Sequence, residues 1–453
     1  MAFIDTARMA TGLIDRWLDY QAYYREIPGM SVGISVGDET VFSKGYGWAN
    51  VADKVPATPQ TLYRIASHSK LFTASAIMRL MEAKQLRLDD TIAEHLPWFQ
   101  SDSDKNLEHM TIRQLLSHSS GMNRDGQTAH WADDRFPDLD EIKAQTREGL
   151  SSFDVLEHWK YSNMAYTILG QVIESVTGEP YETAVKRLVV EPMGLKSTAP
   201  DIEADRLNDH ATGYGIKLPR QEREPLAHVH ANVMNSATGF SSNVEDLLTF
   251  YQHHLYGNED FLPDRLKREM QRLQFEDGMS KWGLGFALVE FGRYKTAGHG
   301  GGYPGFITYS MLNQEHKVVV VVLTNALNQF PQEIAGGLLG LLGTLHKMEG
   351  ILTEGDVDTA RLDAISGFYS HRWGPSLYQR VGNRMMMLGG PATAFLQPGM
   401  VMLLGEQTDV DTFRWVKGPQ NGPFGETSKA VEDADGITWH EGDTVLRPFA
   451  FDY

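Results

Sequence analysis

RIASHSKLFTA, Arg64 to Ala74, crowds two serines, a histidine and a lysine into four consecutive positions, Ser67 to Lys70. If a helix starts at Ser67, residues three apart stand one above the other on one face, so the Lys70 amine can reach the Ser67 hydroxyl. A lysine whose pKa is lowered by burial or a neighbouring cation can activate a serine. His68 and Ser69 would diverge from that face by about 100° per residue. A serine at a helix start is also a common cap, so the spacing needs partners elsewhere in the chain.

Two further stretches supply them. Tyr161-Ser162-Asn163 opens a predicted helix, which places a phenol and an amide on adjacent backbone. A tyrosine near a lysine can have a depressed pKa and act as general base or acid. GHGGGYPGF, Gly298 to Phe306, follows a histidine with three glycines that let backbone N–H groups approach a ligand closely, as an oxyanion hole requires.

Two rival serine-bearing stretches are weaker. GISVG around Ser35 matches the hydrolase elbow G-x-S-x-G, but an elbow needs strand, sharp turn and helix. Here a second β-rich run follows the turn Gly37-Asp38-Glu39, so a hairpin strand is expected. SHSSG, Ser117 to Gly121, ends the helical run TIRQLLSH with Gly121 as a C-cap signal, which assigns His118 and its serines to helix-end hydrogen bonds.

The three motifs, in order SHSK, YSN and HGG, resemble the serine β-lactamase and penicillin-binding-protein superfamily. They resemble in particular its class C-like branch of esterases, D-amino-acid peptidases and acyl transferases. Flanking text in LRLDDTIAEHLPWF, TIRQLLSHSSGM and TGFSSNVEDLLTF agrees, and the resemblance runs from about Ile27 to Asn325. It implies an α/β (α+β) fold: a β-lactamase/transpeptidase-like antiparallel sheet flanked by helices, with an all-α subdomain. It implies that Ser67 is the nucleophile and that Lys70 and Tyr161 share the proton transfers. Asn163 would hold Lys70 and the substrate, with Gly300 and Gly301 beside it. His299 would hydrogen-bond Tyr161 or the substrate. The N–H groups of Ser67 and Gly302 would form the oxyanion hole. His299 stands where relatives carry lysine, so a fixed cation for a β-lactam carboxylate is lost.

Organisation along the chain fits. Met9, Leu13, Ile14, Trp17 and Leu18 recur at helical spacing. KVVVVVLTN, Lys317 to Asn325, suits a strand buried on both faces. Met122 to His158 is a polar stretch read as a lid or substrate-facing insertion, with Trp131, Asp133, Asp134 and Trp159 as pocket candidates. From Ala364, β-prone runs such as SGFYS, SLYQRVGNRMMML, MVMLLG and DTFRWV alternate with turns, as in a β-barrel. They loosely resemble the lipocalin-like barrel appended to some of these enzymes. Two domains are expected: a serine hydrolase domain over 1–350 and a barrel over 360–453.

Composition narrows the function. The net charge of −18 argues against nucleic acid, and zero cysteines exclude disulfides and a cysteine nucleophile. No apolar run reaches the roughly 20 residues needed to span a membrane, and the N-terminus lacks signal-peptide character, so a cytoplasmic protein is expected. The pairs His228/His230 and His253/His254 have no third metal ligand at useful spacing. The expected function is acyl-enzyme hydrolysis of a peptide-like amide, including D-configured ones, without cofactor or metal. The substrate is a small molecule or peptide, and a homo-oligomer is allowed. Ester hydrolysis, acyl transfer or peptide cyclisation, and an inactive ligand-binding sensor are the alternatives. Which of Lys70 and Tyr161 is the base stays open.

Overall fold

A computed structural model describes residues 2–389, 402–417, 424–434 and 436–452. The run Val318–Thr324 explains the architecture. Its β-branched side chains are all buried, so this strand must lie mid-sheet with both faces covered. The described residues form a nine-stranded antiparallel sheet: β1 (Gly29–Val36), β2 (Glu39–Asn50), β3 (Val55–Pro56), β4 (Phe275–Asp277), β5 (Ser280–Trp282), β6 (Ala287–Phe291), β7 (Tyr294–Tyr303), β8 (Phe306–Asn313) and β9 (Val318–Thr324). Their spatial order is β3-β2-β1-β9-β8-β7-β6-β5-β4. β1 pairs with β9 from Met30 opposite Thr324 to Val36 opposite Val318.

Helices cover both faces. On one side lie α3 (Ser69–Glu82), α4 (Asn163–Thr177) and α5 (Val244–His253), which build a core with Leu71, Phe72, Ile168 and Phe250. On the other lie α1 (Phe3–Met9), α2 (Thr11–Tyr24) and α6 (Pro331–Lys347), packed through Leu13, Trp17, Leu338 and Leu342. The amphipathic N-terminal stretch is thus two helices, broken at Ala10. Leu13, Ile14, Trp17 and Leu18 are buried as their spacing predicts, whereas Met9 is only partly buried.

Eight strands, from Gly367–His371 to Thr444–Pro448, close into an antiparallel barrel. Its interior holds Trp415, Trp439 and Tyr378, with the Tyr378 and Trp439 rings stacked at 4.2 Å. Leu362 and Ile365, which precede the first barrel strand, belong to the same cluster. Met400 and Val401, at the head of the MVMLLG run, lie outside the described residues. The barrel rests on α2, where Tyr20 packs on Phe368 at 5.0 Å and Phe451 at 5.7 Å. Among the described residues, no helix is long and apolar enough to cross a membrane.

Candidate active site

The chain enters the site through a short strand, Tyr63–Arg64, and turns at Ala66, whose φ is 51°. A left-handed alanine costs about 1 kcal/mol or more and persists only where its surroundings enforce it. The Ser69 hydroxyl supplies part of that enforcement, donating to the Ala66 carbonyl at 2.5 Å and accepting from the Phe240 N–H at 3.0 Å. Ser67 therefore sits in a 3₁₀ turn, Ala66–His68, and α3 proper begins two residues after it. His68 points away, with Nδ1 2.8 Å from the Ile65 carbonyl. Ser67 is left half-buried between two partners.

Those partners are the expected ones. Lys70 Nζ lies 3.2 Å from Ser67 Oγ, and the Tyr161 hydroxyl is 2.7 Å from the same oxygen. Lys70 is fully buried, with Nζ also 2.7 Å from Asn163 Oδ1 and 2.7 Å from the Ala237 carbonyl. Burial pushes its pKa well below the ordinary lysine value, and Arg124 adds to that effect while Asp125 opposes it. Tyr161 differs from the expectation of a depressed pKa. Burial pushes the phenol up, more than its hydrogen bond to Ser67 pulls it down, because one neutral hydroxyl cannot replace the water a phenolate loses. Tyr161 is thus protonated at neutral pH.

Asn163 opens α4, with Ser162 as N-cap accepting from the Ala165 N–H at 2.9 Å. Its side-chain N–H donates to Asp125 Oδ1 at 2.5 Å while its oxygen faces Lys70. This geometry favours the expected contact with Lys70 over one with substrate. The spacing rules did not single out Asp125. The only signal is the turn Asn123-Arg124-Asp125-Gly126, where Asn123 Oδ1 accepts from the Gly126 N–H at 2.9 Å and Gly126 has φ 71°. Burial opposes the Asp125 charge, but polar contacts from His130, Trp131 and Asn163 and the Arg124 cation outweigh it and hold its pKa at about 2.

The third motif lies on β7. A Cβ on Gly301 would stand 2.3 Å from the Ile65 carbonyl and 2.4 Å from Thr308 Oγ1, so glycine lets this strand pack directly on the turn that carries Ser67. Gly302, next along, pairs with Ile307. A Cβ on Gly300 would face Tyr309 on the opposite side of the strand. His299 does not hydrogen-bond Tyr161. Its Nδ1 is 2.6 Å from the Gly300 carbonyl, its Nε2 has no partner among the described residues, and the two rings stand 6.3 Å apart. Burial, reinforced by Lys70 and His68, pushes His299 well below the usual histidine value, so the imidazole is neutral.

Aromatic side chains wall the site. The His118 ring lies 4.5 Å from that of Tyr161, and Trp282 lies 5.1 Å from His118 and 5.5 Å from His299. His118 accepts from the Ser162 N–H at 3.1 Å. It is also the left-handed residue that ends the preceding helix, at φ 59°, a place the sequence assigned to Gly121. Gly121 is left-handed too, but its need for glycine comes from the Phe153 carbonyl, 2.2 Å from where a Cβ would stand. Of the pocket candidates, Trp159 packs on Trp282 at 5.3 Å and Trp131 meets Tyr303 at 6.0 Å, whereas Asp133 and Asp134 are exposed. Ser35 lies inside β1 opposite Val319 and Thr40, within a strand and not at a strand-to-helix turn. His254 is engaged with Ser75 and the Phe250 carbonyl, and among the described residues no three metal-ligating side chains cluster.

Ser67 Oγ thus lies within hydrogen-bond reach of a buried lysine amine and a tyrosine hydroxyl, a set of groups that serine hydrolase chemistry uses. A family model described as Beta-lactamase matches residues 14–342, and the chain belongs to that family. It is 29% identical over 204 residues to Protein flp of Staphylococcus aureus (strain N315), a match covering 45% of this chain. The chain spans 41% of that relative's length. The fold is similar to that of the octameric penicillin-binding protein homologue from Pyrococcus abyssi, with TM-score 0.65 and 24% identity over 96% of this chain and 99% of that one. It is also similar to the D-amino acid amidase from Ochrobactrum anthropi SV3, with TM-score 0.63 and 22% identity over 75% and 99% of the two chains.

Proposed function

We propose that Ser67 forms an acyl-enzyme on peptide-like amides, including those with D-configured residues, with Lys70 as base and Tyr161 as acid. The observation that carries this reading is the placement of Ser67 Oγ, 3.2 Å from Lys70 Nζ and 2.7 Å from the Tyr161 hydroxyl. A neutral amine has two N–H groups and one lone pair. The N–H groups go to Asn163 Oδ1 and the Ala237 carbonyl, which only accept, so the lone pair faces Ser67.

Ser67 then attacks the carbonyl carbon and gives its proton to Lys70. The N–H groups of Ser67 and Gly302 take the oxyanion. Tyr161 gives its proton to the departing amine, which leaves phenolate and ammonium side by side. Water attacks the ester and passes a proton to the phenolate, and Lys70 returns its own to Ser67. Each turnover closes without a cofactor. A protonated acid on the leaving-group side favours amides, because an amine leaves only when protonated. The amidase named above supports the D-configured reading.

The test is a panel of L- and D-aminoacyl amides, short p-nitrophenyl esters and a cephalosporin, with product analysis for transfer to added amines. Turnover of amides with Ser67-dependent kinetics is expected. Turnover of esters alone would replace this reading by ester hydrolysis, and products carrying the added amine would replace it by acyl transfer. Absence of any Ser67 labelling by a fluorophosphonate would leave a binding protein. A homo-oligomer belongs to the same reading, supported by the octameric relative; light scattering on the full chain tests it.

A further inference from the structure

The turn at residues 123–126 is built into the start of α4 more closely than a connector needs to be. The Arg124 carbonyl accepts from the N–H groups of Asn163 at 2.7 Å and Met164 at 3.2 Å. The Asn123 carbonyl accepts from the Ser162 hydroxyl at 2.7 Å. Asp125 completes the set through its side chain, 2.5 Å from the Asn163 amide nitrogen. A terminal amide has two orientations of similar shape, one presenting oxygen and one presenting NH₂. Lys70 needs oxygen. A carboxylate can only accept, so an ionised Asp125 admits one orientation of Asn163 alone.

We infer that Asp125 is a positioning residue: it locks the Asn163 amide so that its oxygen faces Lys70, and thereby keeps the Lys70 lone pair on Ser67. The inference rests on the proposed role of Lys70 as base. It extends the site to the 122–158 segment, because His130 Nε2 lies 3.9 Å from Asp125 Oδ1 and Trp131 also reaches this carboxylate. Arg124 holds the other oxygen, Nε to Oδ2 at 3.1 Å.

The charge has a second effect. The ionisable groups around Lys70 are Tyr161 and Tyr166, with rings 4.8 and 5.5 Å from Nζ, together with His68, His118, His299, Arg124 and Asp125. The tyrosines and these three histidines are neutral at pH 7, so Asp125 is the anion in this set. Removing it lowers the Lys70 pKa further. Lys70 then stays deprotonated to lower pH, and the acid limb of activity moves to lower pH even as the rate falls.

The experiment measures the rate at which a fluorophosphonate labels Ser67, from pH 5 to 9, in the wild type, Ser67→Ala, Asp125→Asn and the exchange Asp125→Asn/Asn163→Asp. Labelling of the wild type and not of Ser67→Ala establishes the serine chemistry separately; if it fails, the proposed function fails first. For Asp125→Asn, a loss of about ten- to a hundredfold is expected, with the acid midpoint at lower pH. In the exchange variant, the carboxylate now at position 163 accepts from Lys70, and the amide now at position 125 donates to that carboxylate, so at least tenfold of the lost rate returns at high pH. The carboxylate now touches Lys70, and the acid midpoint rises above that of the wild type. A rate within twofold of wild type in Asp125→Asn, an unmoved midpoint, or no recovery in the exchange variant would each overturn the inference.

Discussion

Lys70 Nζ and Asn163 Oδ1 meet at 2.7 Å from two different helices, and in the proposed mechanism this contact orients the lysine lone pair. With the Ala237 carbonyl at the same distance, both N–H groups of a neutral amine are used, and Ser67 is what remains.

Removing that amine has a definite expected outcome. Lys70→Ala slows Ser67 labelling by about 10²- to 10⁴-fold, the usual range for loss of a general base. Lys70→Arg is no better, because a guanidinium stays protonated and offers no lone pair. Fluorophosphonate kinetics at pH 7.5 with a circular-dichroism control check this. An arginine variant near wild-type rate would remove Lys70 from the proton path.

Tyr161→Phe separates two leaving groups. The phenol supplies a proton that an amine requires and a p-nitrophenolate does not. Amide turnover falls about a hundredfold or more, whereas p-nitrophenyl ester turnover falls far less. Equal losses on both substrates would show that Tyr161 does not act as the acid.

Gly301→Ala probes the strand-to-turn contact. Its new methyl would meet the Ile65 carbonyl and Thr308 Oγ1 at 2.3 and 2.4 Å. Overpacking of this kind costs about 1–3 kcal/mol, and here it pushes β7 off the nucleophile's turn. A lower Tm with kcat reduced at least tenfold is expected; a variant with wild-type Tm and kcat would show that the strand can retreat freely.

Acid sensitivity follows from the buried histidines. Burial lowers His68 and His210 from 6.5 to about 4 and His254 from 6.5 to about 3. The unfolded chain takes up these protons below pH 6.5 and the folded chain does not, so stability is full above 6.5 and is lost as pH falls toward 4. Each such group contributes up to about 1.4 kcal/mol per pH unit within the window. His254→Asn, which cannot titrate, flattens the fall of denaturation midpoint between pH 6.5 and 4. An unchanged slope would place the acid sensitivity elsewhere.

The meeting of Ser67 and Lys70 was legible because they are three residues apart and local spacing carries helical geometry, although the helix itself begins at Ser69. Val318–Thr324 was legible because an unbroken β-branched run suits little else. The three distant motifs could be joined only through the family resemblance, since no local rule brings residues 67, 161 and 299 together. Asp125 escaped because its role comes from a tertiary contact with Asn163, and its own neighbourhood shows nothing beyond a turn. Of the two partners expected for His299, Tyr161 is not the one it meets, for a related reason: its Nδ1 turns to the carbonyl of the next residue on its own strand. The Tyr161 pKa depended on burial, which no spacing pattern reveals.

β1 closes against β9, so that Ile34 finds Val320 from far along the chain. On a ribosome the first strand and the two helices before it are made long before their partner exists. Until then β1 has only β2 to pair with, and its other edge stays open. The nine-stranded sheet therefore cannot be completed in stages from the N-terminus. It must wait for the chain to return at residue 318, which makes the waiting hairpin the natural point for chaperone capture or aggregation during synthesis.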